Sequence, residues 1–486
     1  MTDAIQRRAI RPGLLPGLAF VAALVLPALA FAAEGAAAGV PHLDGRELGP
    51  LWVLPFAGVL LSIAILPLAA PVIWHHHFGK ITAAWTFAFL IPFAMSYGIG
   101  MTVYEVLHTA LLEYIPFIVL LTALFTVAGG VRLKGALVGT PLANTVGLAL
   151  GTALASFMGT TGASMLLIRP LLRANDQRRY KVHTVVFFIF LVANIGGSLT
   201  PLGDPPLFLG FLKGVSFFWP TTHLLAPAAF AAALLLVIYF ITDWVLYARE
   251  GGKEPLTEEF KEPLAIEGKV NFLLLGAIVG AVLLSGVWHP GGGLNVMGVV
   301  VPWESIASQA LLLLITGLSL HLTEAESRRM NAFTWGPMVE VAKLFAGIFL
   351  TMIPALAILR AGTDGSLGAI IAAVNHNGQP VPAAYFWAAG ILSSFLDNAP
   401  TYLVFFNTAG GDAVRLMGEW APTLTAISAG AVFMGANSYI GNAPNFMVKA
   451  IAEERGVKMP SFFGYMAWST GILIPLFGLI TLVFFR

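Results

Sequence analysis

The sequence predicts an all-α polytopic membrane protein made of two inverted-topology repeats, each with a re-entrant hairpin and a broken transmembrane helix. Three observations support this fold class. The 486 residues are 58% hydrophobic and 10% charged, with a mean hydropathy of +0.83, which is more apolar surface than a soluble core can bury. Apolar runs of about 20 residues, the length that crosses a bilayer as a helix, recur along the chain. The two halves also share a weak internal repeat.

The N-terminal segment 1-33 is typical of a signal peptide or an uncleaved first helix. Three arginines between positions 7 and 11 precede an apolar run at 14-31, and small residues follow. Either form predicts that the segment after it is exported. The chain is therefore expected to be a multi-pass protein of a bacterial inner (plasma) membrane.

Ten apolar runs are long enough to be complete spans. Two further apolar stretches, 136-168 and 382-408, are interrupted by small, proline and polar residues, and so they favour re-entrant hairpins. The predicted spans are 50-70, 80-99, 111-130, 183-213, 220-247, 270-290, 303-324, 335-358, 422-446 and 461-485.

The basic residues predict how these segments are oriented. Most of the 26 Lys and Arg fall in alternate connecting segments between the predicted spans. Segments rich in Lys and Arg face the cytoplasm. Hairpin 136-168 then enters the membrane from inside, and hairpin 382-408 enters from outside. The charged segment 248-269 is expected to be a cytoplasmic linker between a first repeat at 34-247 and a second at 270-486.

A constant offset of 238 aligns the two halves without a gap across the motif-rich window. Inverted repeats with discontinuous helices place binding sites near the bilayer midplane in many secondary transporters. The aligned identities include Ser156-Phe157 with Ser394-Phe395, Gly197 with Gly435, Gly203 with Gly441, and Pro206 with Pro444.

These elements carry the polar chemistry of an otherwise apolar chain. Broken backbone at membrane depth is tolerated only beside a protein-lined, hydrated cavity, where free carbonyls bind cations and half-helix N-termini hold anions. Asp204 and Asp397 add carboxylates that suit Na⁺ or a transported proton. The alternative for the neutral residues is that they cap helices and turns. The candidate ion- or substrate-binding residues are Thr160, Thr161, Asn194, Gly197, Thr200, Asp204, Asp397, Asn398, Thr401, Asn437, Asn442 and Asn445, with Na⁺ expected at Asp204 and Asp397.

Three motifs give the chain a resemblance to the ion-transporter superfamily: ANIGGSLTPLGDPP at 193-206, SSFLDNAP at 393-400 and GANSYIGNAPN at 435-445. That group includes NhaD-type sodium/proton antiporters, the arsenite permease ArsB, the melanosomal P protein, and citrate or dicarboxylate permeases. The resemblance implies an elevator-type carrier, often a homodimer. By motif match it implies that the sites are lined by Asn194, Gly197, Asp204, Asp397, Asn398 and Asn442.

Two functions are weighed on these grounds. Two acids and no base in the core elements favour sodium/proton antiport, with Asp204 and Asp397 binding Na⁺ and H⁺ in turn. The alternative is a sodium- or proton-coupled carrier of citrate or a similar dicarboxylate-type anion. An enzyme is not expected, because HExxH, GxSxG and Walker A motifs are missing from the sequence. The expected partners are a small ion or carboxylate and membrane lipid, without nucleic acid; no resident cofactor is expected, and Na⁺ and H⁺ are transported or coupling ions.

Overall fold

The computed structural model describes residues 43–135, 138–251 and 265–486. The signal peptide or first helix predicted at 1-33 lies outside these ranges. The described chain is mostly helical, and eight of its helical stretches are long and apolar enough to cross a membrane. The prediction of a helical, multi-pass membrane protein is confirmed at this level.

The described part of the first half contains eight α-helices, preceded by two short 3₁₀ turns at Gly45–Glu47 and Pro50–Val53. The helices are α1 (Leu54–Ala69), α2 (Pro71–Thr109), α3 (Ile115–Ala128), α4 (Pro141–Met158), α5 (Thr160–Ala174), α6 (Val182–Leu191), α7 (Pro205–Leu212) and α8 (Trp219–Arg249).

The second half contains eleven described α-helices, several of them short. They are α9 (Val270–Val287), α10 (Trp303–Leu322), α11 (Ala325–Met330), α12 (Gly336–Arg360), α13 (Gly368–Val374), α14 (Pro382–Phe395), α15 (Asn398–Thr408), α16 (Ala413–Met417), α17 (Ala421–Met434), α18 (Ala443–Glu454) and α19 (Phe462–Phe484).

The predicted spans 80-99 and 111-130 are not separated by a loop. Two helical stretches lie between Pro71 and Ala128; they meet at a kink at Gly98, and the second includes a π-helical turn at Ala110–Tyr114. Gly98 has φ 84° and ψ 160°, a conformation that costs glycine little because it has no Cβ. The break therefore falls at Gly98, close to the end of the predicted span 80-99, and consists of a single residue.

Two helices are interrupted inside the protein, at the glycine- and proline-rich motifs. Between α6 and α7 the chain forms a 3₁₀ turn at Ile195–Ser198, and between α17 and α18 it forms one at Gly435–Asn437. Two helix pairs have even shorter connections. Gly159, with φ 80°, joins α4 to α5, and Leu396 with Asp397 joins α14 to α15.

Three small antiparallel sheets lie between the helices. Strand β1 (Arg132–Lys134) pairs with β2 (Ala265–Glu267), and the register sets Arg132 opposite Glu267, with an ion pair of 2.9 Å. Strand β2 belongs to the predicted linker 248-269, of which residues 252–264 lie outside the described ranges. The hairpins β3 (Gly293–Val296) with β4 (Val299–Pro302) and β5 (Asn375–His376) with β6 (Gln379–Pro380) complete the set.

Helix α6 lies at the centre of one large core that draws on both halves of the chain. Its residues from His183 to Leu191 are all buried. The outer helices instead expose large apolar side chains: Met95 is 83% exposed, Val287 79% and Phe463 78%. Such surfaces are stable facing lipid, so the packing agrees with a membrane-embedded bundle whose centre is shielded.

Candidate functional site

Four helix N-termini meet in the polar interior of the protein. Helix α5 begins at Thr160 and α15 at Asn398, each at the tip of a helix pair. Helices α7 and α18 begin after Asp204 and Asn442, which are their N-cap residues. The hydrogen bonds that Thr160, Asn398 and Asn442 all donate to Asp204 show that the four ends lie together. Since helix N-termini carry partial positive charge, the four ends favour negative charge at this centre.

Asp204 is the acceptor at this meeting point, and only 1% of the residue is exposed. The Thr160 hydroxyl donates to its Oδ1 at 3.0 Å, and the Asn442 amide donates to the same oxygen at 3.3 Å. The Asn398 amide donates to Oδ2. All three donors are neutral. A carboxylate buried without a basic side chain among its hydrogen-bond partners is costly, so packing alone does not account for Asp204.

Asn194 joins the two helix breaks to each other. Its amide donates to Asn445 Oδ1 at 2.7 Å, and its Oδ1 accepts from the Asn442 amide at 3.2 Å. The Asn445 amide then donates to the carbonyls of Gly435 and Ser438 at 2.8 and 2.9 Å, which the 3₁₀ turn leaves without helical partners. We call these hydrogen-bonded residues the central cluster: Thr160, Asn194, Asp204, Asn398, Asn442 and Asn445.

Asp397 has a different environment from Asp204. It is partly exposed, and its carboxylate accepts from the Ala399 backbone N–H at 3.0 Å as the N-cap of α15. The two carboxylates are near enough for their charges to interact. The described residues hold no group of three or more His, Cys, Asp or Glu side chains placed to bind a metal. Na⁺ at Asp204 and Asp397 therefore stays a prediction.

Thr200 and Gly197 shape the break before α7. The Thr200 hydroxyl donates to the Ser156 carbonyl and accepts from the Leu202 N–H at 3.1 Å. A Cβ on Gly197 would come within 3.1 Å of the Asp204 Cβ. Both residues hold the backbone around Asp204, which agrees with the alternative that some candidates serve as turn residues.

The remaining candidates lie outside the central cluster. The Thr401 hydroxyl donates to the Asp397 carbonyl at 3.0 Å within its own helical turn. The Asn437 amide donates to the Ser394 hydroxyl at 2.9 Å. Thr161 follows Thr160 on α5 and is partly buried. The structure thus unites six of the twelve predicted residues by hydrogen bonds and places the others around them.

Two buried amide oxygens near the cluster have no hydrogen-bond partner among the described residues, Asn398 Oδ1 and Asn437 Oδ1. Buried acceptors are usually satisfied, so each has the capacity to accept a proton-bearing group or to coordinate a hard cation. Both belong to the second half of the chain.

Sequence reasoning overlooked Ser156 and Ser394, which support the two breaks. The Ser156 hydroxyl donates to the Gly196 carbonyl, and the Ser394 hydroxyl donates to the Met434 carbonyl at 3.2 Å. The signal was present, because these serines are identical at the offset of 238 and flank the interrupted stretches.

A helical bundle with broken helices around a buried polar centre is typical of membrane transporters. The chain belongs to the family described as "putative citrate transport" (CitMHS_2), whose model matches residues 45–485. The resemblance to the ion-transporter superfamily is thereby confirmed. None of the curated proteins matches the chain.

Proposed function

We propose that the protein is a secondary active transporter of citrate or a similar carboxylate, coupled to Na⁺ or H⁺. The observation that carries the proposal is the meeting of four helix N-termini around the central cluster, in a chain of the putative citrate transport family. Sodium/proton antiport, which the sequence favoured, has less support, since the family description names citrate.

The helix ends provide the anion site in this proposal. Unpaired N–H groups in the first turn of a helix bind carboxylates, and the helix dipole adds to the attraction. Thr160 and Asn398 each occupy the first position of their helix, so a substrate at the hairpin tips would meet both N-termini at once. Their side chains, now bonded to Asp204, would exchange that partner for substrate oxygens.

The coupled cation follows from charge balance. Citrate brings up to three negative charges to a centre that already contains Asp204, and the hydrogen-bond partners of Asp204 are all neutral. A cation bound beside Asp204 would offset the repulsion, and the unpartnered Asn398 Oδ1 is placed to contribute a ligand. Na⁺ and H⁺ both suit this role.

Matched hydrogen bonds support two repeats at 34-247 and 270-486. Thr200 donates to the Ser156 carbonyl, and Ser438, 238 positions later, donates to the Ser394 carbonyl. In each half the backbone N–H two residues further on donates back to this hydroxyl. Leu202 N–H donates to Thr200 at 3.1 Å, and Ile440 N–H donates to Ser438 at 3.3 Å. The proposal also includes features that the sequence suggests. The distribution of basic residues supports opposite membrane entry of the hairpins, and the N-terminal segment supports a bacterial inner membrane. The family resemblance supports an elevator motion and a homodimer.

The test uses the purified protein in proteoliposomes. Uptake of radiolabelled citrate is measured with an inward Na⁺ gradient, with an inward H⁺ gradient and with neither, while a trapped dye reports internal pH. We expect saturable citrate uptake that at least one gradient accelerates. If Na⁺ moves protons without citrate, and citrate uptake does not saturate, the protein is a sodium/proton antiporter instead.

A further inference from the structure

A second buried polar network lies at the base of the helix pair α4–α5, away from the tip that carries Thr160. Its centre is Asp243 of α8, which is fully buried. The Asp243 carboxylate accepts from Arg178 at 2.7 Å, from His183 Nε2 at 2.9 Å, from Asn144 at 3.1 Å and from the Tyr239 hydroxyl at 3.2 Å. Few single side chains in the described protein hold so many different elements together.

The network joins the two ends of the helix pair. Asn144 in the first turn of α4 and Asn175 just after α5 exchange amide hydrogen bonds of 2.9 Å in both directions. Arg178 donates to the Gly139 carbonyl at 2.8 Å, and the Gly139 N–H donates to the Ala174 carbonyl at 2.9 Å. The ends of the hairpin are thus fixed to each other and to α8.

Arg178 extends the network to the end of α8. Its Nε donates to Glu250 at 2.9 Å, and the other carboxylate oxygen of Glu250 accepts from the Tyr180 N–H at 2.7 Å. The side chains of Arg178, Asp243 and Glu250 are 6%, 0% and 4% exposed. We call this network the base clamp: Asn144, Asn175, Arg178, His183, Tyr239, Asp243 and Glu250.

A buried ionic network of this kind is weak evidence for a purely stabilising role. A buried ion pair carries a desolvation penalty that often equals or exceeds its Coulombic gain, and apolar side chains frequently replace such pairs without loss. If the halves are repeats, the corresponding positions of the second half carry mostly apolar side chains. At the offset of 238, six of the seven clamp positions have counterparts, which are Pro382, Ala413, Leu416, Ala421, Phe477 and Thr481.

We infer that Arg178 and Asp243 are positioning residues that hold the tip of α4–α5, and with it Thr160, against Asp204. Helix α4 has 18 residues, so about 24 Å of helix separates Asn144 from the tip. A tilt of about 5° at the base would move the tip by about 2 Å over this length. The bond from Thr160 to Asp204 is 3.0 Å and would be lost after a shift of about 1 Å. The role of the clamp in substrate binding rests on the proposed function.

The first experiment does not depend on transport. The chain contains no cysteine, so Thr161→Cys places a single thiol at the hairpin tip, and its rate of labelling by a maleimide is measured in membranes. Asp243→Asn in this background should raise the rate about fivefold, and Tyr239→Phe about twofold, because each weakens the base. Thr481→Val is the matched control in the second half, where its hydroxyl accepts from Trp387 at 3.0 Å, and should leave the rate unchanged.

The second experiment separates positioning from general stability. Citrate KM and maximal uptake rate are measured for Asp243→Asn, for Thr160→Val and for the double variant. If the clamp acts through Thr160, Asp243→Asn raises KM about tenfold in the otherwise unmodified chain. The same substitution changes KM little in the Thr160→Val background, because the effects of coupled residues are not additive. Membrane yield and melting temperature report folding, and Tyr239→Phe serves if Asp243→Asn does not insert.

Equal labelling rates in all variants, or fully additive KM effects, would overturn the inference. Absence of citrate uptake by the unmodified protein would refute the proposed function alone, since the labelling experiment still decides whether the base controls the tip.

Discussion

Asp204 and Asn442 occupy the same backbone position in the two interrupted helices but differ in charge. Asp204 has φ −146° and ψ 143°, and Asn442 has φ −152° and ψ 138°. Each is the N-cap of a helix with proline in its first turn, and neither side chain caps its own helix. The glycine and proline pattern therefore sets the geometry of both breaks, while a single side chain decides which half carries the charge.

The two hairpin tips also differ in charge, but here the charged residue belongs to the second half. Thr160 follows Gly159, whereas Asn398 follows Asp397, whose carboxylate caps α15. Both tip residues nonetheless donate to Asp204. The first half thus supplies the central charge and the second half supplies a peripheral charge with two amides. Such an asymmetric pair suits one substrate and one coupling ion better than two equal ions.

The largest effect is expected from removing the central charge. Asp204→Asn should lower citrate uptake in proteoliposomes at least 100-fold, because three donors lose their charged acceptor and the coupling cation loses its ligand, with hydrogen bonds to charged groups contributing about 1.5–3 kcal/mol each. Asp412→Asn, at the exposed N-cap of α16, is the control and should retain uptake. Normal uptake by Asp204→Asn would remove this residue from the mechanism.

Adding a charge to the second half should have the next largest effect. Asn442→Asp places a carboxylate where the amide now lies 3.3 Å from Asp204 Oδ1, so repulsion should reduce uptake by about 30-fold. Combining it with Asp204→Asn moves the charge from one N-cap to the other and should recover part of that loss, measured in the same assay. If Asn442→Asp alone transports normally, the two positions are not in contact during transport.

Removing one donor at the first tip should have a moderate effect. Thr160→Val keeps the shape of the side chain but loses the hydroxyl that donates to Asp204 at 3.0 Å, and it should raise the KM for citrate about tenfold. Thr160→Ser, which keeps the hydroxyl, should behave almost like the unmodified protein. A KM shared by all three forms would show that the tip hydroxyl does not contribute to binding.

The smallest effect is expected at Thr401. Its hydroxyl bonds to the Asp397 carbonyl in its own turn, so Thr401→Val should change KM and maximal rate by less than about threefold. A loss as large as that of Asp204→Asn would mean that Thr401 contacts substrate or ion in another state of the carrier. Uptake kinetics at several citrate concentrations distinguish these outcomes.

The breaks and all six residues of the central cluster could be predicted because they depend on local chemistry. Glycine and proline interrupt helices whatever surrounds them, and Asp204 stood out as a charge in an apolar motif. The pairing of Asn194 with Asn445, 251 positions apart, is a tertiary contact that no local pattern encodes. The cap formed by Asp397 was equally hidden, since a carboxylate at a helix start can face its own backbone or a ligand.

The base clamp was missed although part of its signal was present. Asp243 is a single acid within the predicted span 220-247, which is the kind of residue that marks a functional position in a membrane helix. Arg178 lies in a basic segment, and His183 is the first residue of the predicted span 183-213, so neither indicates a partner for Asp243. Their distance in sequence, 65 and 60 positions from Asp243, concealed the network.

Citrate counterflow tests the central claim most directly, because it needs no ion gradient and reports only the substrate site. Proteoliposomes loaded with unlabelled citrate are diluted into labelled citrate at equal Na⁺ and pH on both sides. The account predicts transient accumulation of label by the unmodified protein and by Asp412→Asn, and none by Asp204→Asn. Accumulation that is equal in Asp204→Asn, or absent from the unmodified protein while Na⁺ still drives proton movement, would contradict it.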